Sequence, residues 1–176
     1  MINYLIISKK KWDIENFEIL NKSHKFSYKL DKRKIIKYSP KIIFFIHWSE
    51  KIPLEIFKRY LCIQFHSSDL PKFKGGSPIQ NQIVNGIKKT KITAFKVSDK
   101  IDAGDICLKN NLDLNGTATQ IYQKMTLPFS RQSHRWELDL LLWSQSKLVS
   151  LPPQRLLLSL LLAPGREHRP LRQLHA

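Results

Sequence analysis

Residues Cys62–Ile106 read CIQFHSSDLPKFKGGSPIQNQIVNGIKKTKITAFKVSDKIDAGDI, the most informative part of the chain. Just before its polar cluster, Tyr60–Phe65 is apolar enough to be a central strand of a sheet. Gln64 and His66 are two positions apart, so their side chains would share one face of that strand. Pro71 then breaks regular structure. Since sites in α/β proteins commonly lie at the carboxyl ends of strands, we predict an α/β fold with a site at this point.

A family resemblance rests on four groups of residues in fixed order: Gln64-Phe65-His66-Ser67-Ser68-Asp69-Leu70-Pro71, then Gly75-Gly76-Ser77-Pro78, then Thr93 on the next predicted strand, then Asp102-Ala103-Gly104. The stretch resembles the formyltransferases that use 10-formyltetrahydrofolate, whose motif reads Asn-x-His-x-Ser-x-x-Pro, Gly-x-x-Pro, a strand and Asp-x-Gly. The resemblance implies a Rossmann-like, mostly parallel sheet with flanking helices. One position departs from the pattern, because Gln64 stands where the family has its catalytic Asn.

The same resemblance implies three groups of site residues. The catalytic group is Gln64, His66 and Asp102. The group that would bind the co-substrate 10-formyltetrahydrofolate is Phe45, His47, Trp48, Ser98 and Asp99. The group that would bind the acceptor substrate is Ser68, Gly75, Gly76 and Pro78, and no metal is implied.

Several of these assignments have plainer alternatives. A lone His47 at a strand end is more often an ordinary polar residue, and Trp48 is more often packing than a ligand contact. Ser68 is better placed to brace its loop than to attack a substrate.

Three aspartates compete for the catalytic carboxylate. Asp99 and Asp105 lie close by, but Asp102 occupies the matching position before Ala-Gly, so we prefer it. His66, Asp69, Asp102 and Asp105 could imitate a metal site, but their spacing matches no metal signature.

The resemblance implies formyl transfer to an amine, which passes through a tetrahedral oxyanion. This chemistry needs donors to the oxyanion, a route for the amine proton, and a group that fixes the protonation of the others. His66 can donate to the oxyanion or relay the amine proton, and Asp102 can accept that proton and bias the charge of His66. The amide of Gln64 can hold the formyl oxygen, but its side chain is one methylene longer than Asn. A displacement of about 1 Å can cost about a hundredfold in rate, so the substitution matters.

The acceptor is open on the sequence alone. Family members formylate amino sugars on nucleotides, methionyl-tRNA or glycinamide ribonucleotide. The loop sequence from Phe65 to Pro78 most resembles that of the members that act on amino sugars, which favours a nucleotide-linked amino sugar. Methionyl-tRNA is the first alternative, and a catalytically defective module that binds folate or a polyanion is the second. A basic nucleic-acid binder is a further hypothesis from another class, and its binding would weaken steeply with salt.

Bulk properties limit these readings. The chain has 176 residues and a formal net charge of +16, which fits either a polyanionic partner or lysines scattered over the surface. Cys62 and Cys107 lie in apolar strand patterns, which favours buried reduced thiols and a cytoplasmic protein. No signal peptide is visible and no apolar run approaches a membrane span, so we expect no membrane partner.

Periodicity and caps predict the elements along the chain. The predicted strands are 3–8, 26–30, 41–46, 60–65, 90–97 and 106–108, and the predicted helices are 13–20, 31–38, 53–59, 78–85 and 117–124. Asp13 and Ser77 are predicted caps, Thr117 or Asn115 would cap the last helix, and Ile79 and Ile83 would form an apolar stripe.

The composition changes abruptly near the end of the chain. After Thr126 there is no Ile or Asn, and Leu, Arg, Pro and Ser dominate. We therefore expect a formyltransferase catalytic domain over residues 1–126, incomplete at its C-terminal end, and a Leu/Arg/Pro-rich tail over residues 127–176. A frameshift or fusion would explain the tail, and a genuine helical extension is the alternative.

Overall fold

The computed structural model describes residues 4–10, 13, 25–27 and 29–131. These residues lie in the first of the two units into which the chain divides, Met1–Leu140. In chain order the elements are β1 (Tyr4–Ser8), β2 (Lys25–Ser27), α1 (Lys32–Tyr38), β3 (Ile42–Ile46), α2 (Leu54–Arg59), β4 (Leu61–His66), α3 (Pro78–Val84), β5 (Lys89–Lys96), β6 (Ile106–Asp113) and α4 (Ala118–Arg131).

The strands form one six-stranded sheet in the order β2-β1-β3-β4-β5-β6. The pairs from β2 to β4 are parallel, whereas β4–β5 and β5–β6 are antiparallel. β4 therefore joins the two kinds of pairing, with Gln64 opposite Phe45 on one side and His66 opposite Thr93 on the other. The predicted Rossmann-like, mostly parallel sheet with flanking helices is confirmed.

The core lies against both faces of β1 and β3, all of whose residues are buried. Such strands read as continuous apolar runs because both faces are covered. On one face, Leu5, Ile43 and Phe45 belong to a single buried cluster with residues of α1 and α2. On the other face, Phe44 lies between the rings of Tyr4 and Phe65, at centroid distances of 5.6 and 6.2 Å.

The N-termini of α1 and α4 are capped by side chains of their own sequence. The carboxylate of Asp31 accepts hydrogen bonds from the backbone N–H groups of Arg33 and Lys34 and so caps α1. At α4, Thr117 and Gln120 bond reciprocally to each other's backbone N–H groups, which is a capping box. Of the two predicted caps for this helix, Thr117 is the one in place.

Ser77 and Pro78 take their predicted positions at the start of α3, but the side-chain capping bond is not formed and the predicted apolar stripe is wrong. Ser77 adopts a left-handed backbone, with φ of 53°, and its side chain makes no cap hydrogen bond. Ile83 is 46% exposed, and the buried partner of Ile79 is Gln82. Gln82 is buried because its amide is fully used: it donates to the carbonyls of Ser67 and Pro78 and accepts from Thr90.

Other departures concern the edges of the predicted elements. β6 continues to Asp113 instead of ending at Leu108, because its polar residues pair with β5 along the whole ladder. α4 runs to Arg131, past the change in composition after Thr126. The predicted tail, 127–176, lies outside the described residues from 132 onward, and the domain boundary stays a prediction.

The two cysteines differ in environment. Cys62 is buried on β4, and burial raises the pKa of its thiol to about 12, as expected for an inert core cysteine. Cys107 is only partly buried on β6, contrary to expectation. Within the described part of the chain, no helix has the length and apolar character that a bilayer crossing requires.

Candidate functional site

A cavity of about 860 Å³ lies where β3 and β4 end. Ligand sites are commonly concavities of this size. The predicted site residues in its wall are His47, Trp48, Gln64, His66, Gly75, Gly76, Pro78, Ser98, Asp99 and Asp102. Two predicted residues lie elsewhere: Phe45 is fully buried in the core beside the ring of Trp48, and Ser68 is buried within its own loop.

The wall brings His66 and Asp102 together. Nδ1 of His66 lies 3.5 Å from Oδ2 of Asp102, and both side chains are more than nine-tenths buried. Nε2 of His66 lies 2.8 Å from the carbonyl oxygen of Phe73, so this nitrogen donates and Nδ1 faces the carboxylate. Gly75 donates its backbone N–H to Asp102 at 2.8 Å. The loop between β4 and α3 thus orients both members of the pair.

Buried hydroxyl groups hold the backbone of that loop in place. Thr93, which is fully buried on β5, donates to the carbonyl of Ser68 and accepts from the N–H of Leu70. Ser68 donates to the carbonyl of Lys72 at 2.6 Å, which matches the bracing alternative for this residue. Satisfied buried hydrogen bonds of this kind specify one loop geometry.

Gln64 is held at its far end. Its Nε2 donates to the carbonyl of Trp48 at 3.1 Å, so the amide ties β4 to the segment that follows β3. A primary amide has two hydrogens, and this bond uses one of them. The longer side chain at this position therefore has a defined partner.

A polar network at the end of β3 was missed by the sequence analysis. The buried carboxylate of Asp13, predicted as a helix cap, accepts from the hydroxyl of Ser8 and lies 2.8 Å from Nδ1 of His47. His47 has a left-handed backbone, with φ of 47°, and its ring meets that of Tyr122 edge-on at 5.6 Å. The remainder of the predicted helix 13–20 lies outside the described residues.

Two buried ring nitrogens in the wall have no hydrogen-bond partner among the described residues, Nε2 of His47 and Nε1 of Trp48. Buried polar atoms are normally paired, because an unpaired one costs about 1–3 kcal/mol. These two nitrogens are therefore exceptions to the usual pairing among the described residues.

The turn that carries Asp102 is set by close packing. Asp102 has a left-handed backbone, with φ of 47°. A Cβ built on Gly104 would overlap the carbonyl oxygen of Lys96 and lie 2.8 Å from its carbonyl carbon. Glycine is therefore required in the Asp-Ala-Gly turn because β5 passes directly against it.

Asp69 anchors the other side of the loop. Its carboxylate pairs with Lys109 at 2.5 Å and with Lys91 at 3.5 Å, and Lys109 also donates to the carbonyl of Leu70. The hydrogen bond from Lys109, followed by the charges of Lys109 and Lys91, lowers the pKa of Asp69 below its ordinary value. Asp69 therefore takes no part in the His66–Asp102 pair.

We expect Lys109→Met to lower the free energy of unfolding at pH 7 by about 0.2–1 kcal/mol, the range for exposed ion pairs. Because the folded-state pKa of Asp69 is depressed, the pair stabilises above the ordinary Asp pKa, and its contribution is lost as the pH falls through the folded-state value. Denaturant unfolding at several pH values measures this. The difference from wild type should shrink in acid to the part that comes from the lost bond to the carbonyl of Leu70, and Lys88→Met, an exposed control, should show no such trend; a difference that does not change with pH would contradict the assignment.

The formyl transferase family model matches residues 5–131 of the chain. The methionyl-tRNA formyltransferase of Campylobacter hominis is 43% identical over 74 residues, which are 42% of this chain and 24% of that protein. That of Clostridioides difficile is 38% identical over 96 residues, which are 52% of this chain and 31% of that protein. The chain thus spans about a quarter to a third of the length of these curated relatives.

A solved structure shares both fold and sequence. The methionyl-tRNA formyltransferase from Clostridium thermocellum superposes with a TM-score of 0.67 at 39% identity, over 74% of this chain and 62% of that chain. The superposition covers more of the chain than either sequence match.

Proposed function

This chain belongs to the formyl transferase family, and from that premise we propose that it transfers a formyl group from 10-formyltetrahydrofolate to the amine of methionyl-tRNA. The observation that carries the proposal is the His66–Asp102 pair, 3.5 Å apart in the wall of a cavity that also contains Gln64. The sequence alone favoured a nucleotide-linked amino sugar. The relatives that share 38–43% identity are methionyl-tRNA formyltransferases and support the alternative acceptor instead.

The size and lining of the cavity support this co-substrate. Its volume of about 860 Å³ lies in the range of ordinary small-molecule sites, and His47 and Trp48 are both in its wall. We propose that these two residues, with Ser98 and Asp99, hold 10-formyltetrahydrofolate, which supplies the activated formyl carbon. Phe45 would contribute indirectly, because it packs against Trp48 and so supports the position of that ring.

His66 and Asp102 would take up the proton that the attacking amine loses, and a proton would pass to the folate nitrogen as its bond to the formyl carbon breaks. The bond from Nε2 to the carbonyl of Phe73 leaves Nδ1 of His66 facing Asp102, so the ring and the carboxylate are placed to pass a proton between them. Asp102 is in turn oriented by the N–H of Gly75. The second amide hydrogen of Gln64 would donate to the formyl oxygen as negative charge develops there.

The acceptor would enter along the loop between β4 and α3. Gly75, Gly76 and Pro78 lie in the cavity wall on this side, and Ser68 supports them through the loop backbone. The amine would then reach the formyl carbon next to His66, where proximity and orientation contribute most of the rate.

Two measurements test the proposal. A stable 10-formyltetrahydrofolate analogue at about 100 times its Kd should raise the free energy of unfolding by about 2.7 kcal/mol. Formyl transfer should then be detected with methionyl-tRNA and be absent with a nucleotide-linked amino sugar. Transfer to the sugar alone would overturn the acceptor, and analogue binding without any transfer would favour a catalytically defective folate-binding module.

Gln64→Asn should lower the rate of formyl transfer by about a hundredfold, although it restores the family residue. The shorter side chain would lose the bond to the carbonyl of Trp48 and withdraw its amide by about 1 Å. Gln64→Glu keeps the shape but has no amide hydrogens, so it should be slower still. Single-turnover kinetics with saturating donor measure both, and an Asn variant as fast as wild type would show that Gln64 is not in its working position.

A further inference from the structure

We propose that the loop Asp69–Gly76, called here the lysine loop, binds the phosphate backbone of an RNA acceptor through Lys72 and Lys74. This inference rests on the proposed function only in taking an RNA-borne amine as the acceptor. To that function the inference adds two side chains, Lys72 and Lys74, which would hold the RNA outside the cavity.

The lysine loop carries a local excess of positive charge. Lys72 and Lys74 are exposed, and neither forms an ion pair with any described residue. At the start of the loop, Lys91 and Lys109 share the single carboxylate of Asp69. The loop and the two lysines paired with it thus carry four positive charges and one negative charge, an excess that attracts a polyanion.

These charges stand on a fixed backbone. Lys72 donates its N–H to the carbonyl of Asp69 at 3.0 Å and receives the hydroxyl of Ser68 on its own carbonyl at 2.6 Å. Lys109 holds the carbonyl of Leu70 at 2.6 Å. Because the loop is already ordered, little conformational entropy is lost when a ligand binds to it.

The same backbone touches the proposed catalytic pair. Phe73, between the two lysines, accepts the hydrogen bond of His66, and Gly75, next to Lys74, donates to Asp102. A phosphate held by Lys72 or Lys74 would therefore lie on the loop that orients both residues. The anchor for the acceptor and the reacting centre are joined by one short segment.

The position of the lysines distinguishes a polymer from a small acceptor. Neither Lys72 nor Lys74 lines the cavity, whereas Gly75 and Gly76, directly after them, do. A small phosphorylated amine enclosed by the cavity would leave these ammonium groups unused. A chain of phosphates that leads out of the cavity past Gly76 would meet them.

The test measures RNA binding at several salt concentrations, with the full chain and a fluorescently labelled initiator tRNA transcript that carries no amino acid. Each phosphate neutralised contributes about 0.7–0.9 to the slope of log K against log salt. The double variant Lys72→Ala/Lys74→Ala should therefore lose about 1.4–1.8 of that slope. The control Lys34→Ala/Lys37→Ala removes two exposed lysines of α1, an element that contributes nothing to the cavity wall, and should keep the wild-type slope.

Every other outcome overturns this inference. Equal slopes in the two double variants would mean that the charge effect is general and not local. Tighter binding of poly-L-glutamate than of the transcript would point to an acidic protein partner, and no binding of the transcript would remove the RNA. The folate-analogue stability shift and formyl transfer are measured on the same preparations, so a failure of the proposed function is recognised separately.

Discussion

His66→Ala is expected to lower kcat for formyl transfer by about 10²–10⁴-fold, the usual contribution of a positioned acid–base group. The ring lies 3.5 Å from Asp102, and no other side chain in the described wall pairs with that carboxylate. Removing it takes away the relay between the amine proton and Asp102. Rapid-quench kinetics with saturating donor and acceptor measure the chemical step, and the folate-analogue stability shift should remain.

A second variant separates chemistry from loop support. His66→Ala also removes the 2.8 Å donor to the carbonyl of Phe73, which then keeps only the longer bond of 3.4 Å from the hydroxyl of Ser68, so part of its effect would be loss of loop order. In His66→Gln the amide can still donate to that carbonyl but cannot carry a proton as imidazole does. We expect His66→Gln to match wild type in thermal stability and to be nearly as slow as His66→Ala; activity within tenfold of wild type would remove His66 from the mechanism.

Because His66 and Asp102 would act as one unit, His66→Ala combined with Asp102→Asn should be little slower than His66→Ala alone. Additive losses would instead mean that the two residues work in separate steps.

Gly104→Ala is the other change with a large expected effect. The new methyl group would overlap the carbonyl oxygen of Lys96, and this neighbour is backbone held in the sheet, so the turn must move. We expect a loss of about 1–3 kcal/mol of stability, as for overpacking elsewhere. Displacing Asp102 by about 1 Å would further lower formyl transfer about a hundredfold.

The matched control for that change is Gly76→Ala. It lies in the same cavity wall, its backbone is not left-handed, and nothing lies within 4 Å of a Cβ built there. Its melting temperature should stay near wild type. Similar losses in both variants would show that the wall tolerates no added methyl group, and the specific role of Gly104 would then be wrong.

The centre of the site could be located from the sequence because Gln64, His66 and Asp102 each match a position of the family motif. Alternation places Gln64 and His66 on one face of a strand, and the motif alone links them to the Asp-Ala-Gly turn after the next strand. The pairing of His47 with Asp13 was not accessible in this way. It joins positions 34 residues apart with no motif between them, and only the parallel pairing of β1 with β3 brings them together.

Polar residues account for the other misses. Gln82 is buried because three hydrogen bonds satisfy its amide, and an apolar pattern cannot reveal this. Lys109, Asn110 and Asn111 interrupt the hydrophobic signal of β6, yet an outer strand tolerates polar side chains as long as its ladder is formed. Hydropathy therefore located the strands that are covered on both faces but underestimated the length of β6, which lies at one edge of the sheet.

The switch in strand direction at β4 has a consequence for how the chain folds. β5 and β6 are joined by a short connection and can pair early, whereas β1, β3 and β4 need long crossovers whose closure costs more entropy. The cavity takes its wall from both parts, so it is complete only after they meet on β4. A ligand of the cavity would then recognise the native state and not the folding transition state. It should slow unfolding in proportion to its stabilising effect and leave the refolding rate unchanged.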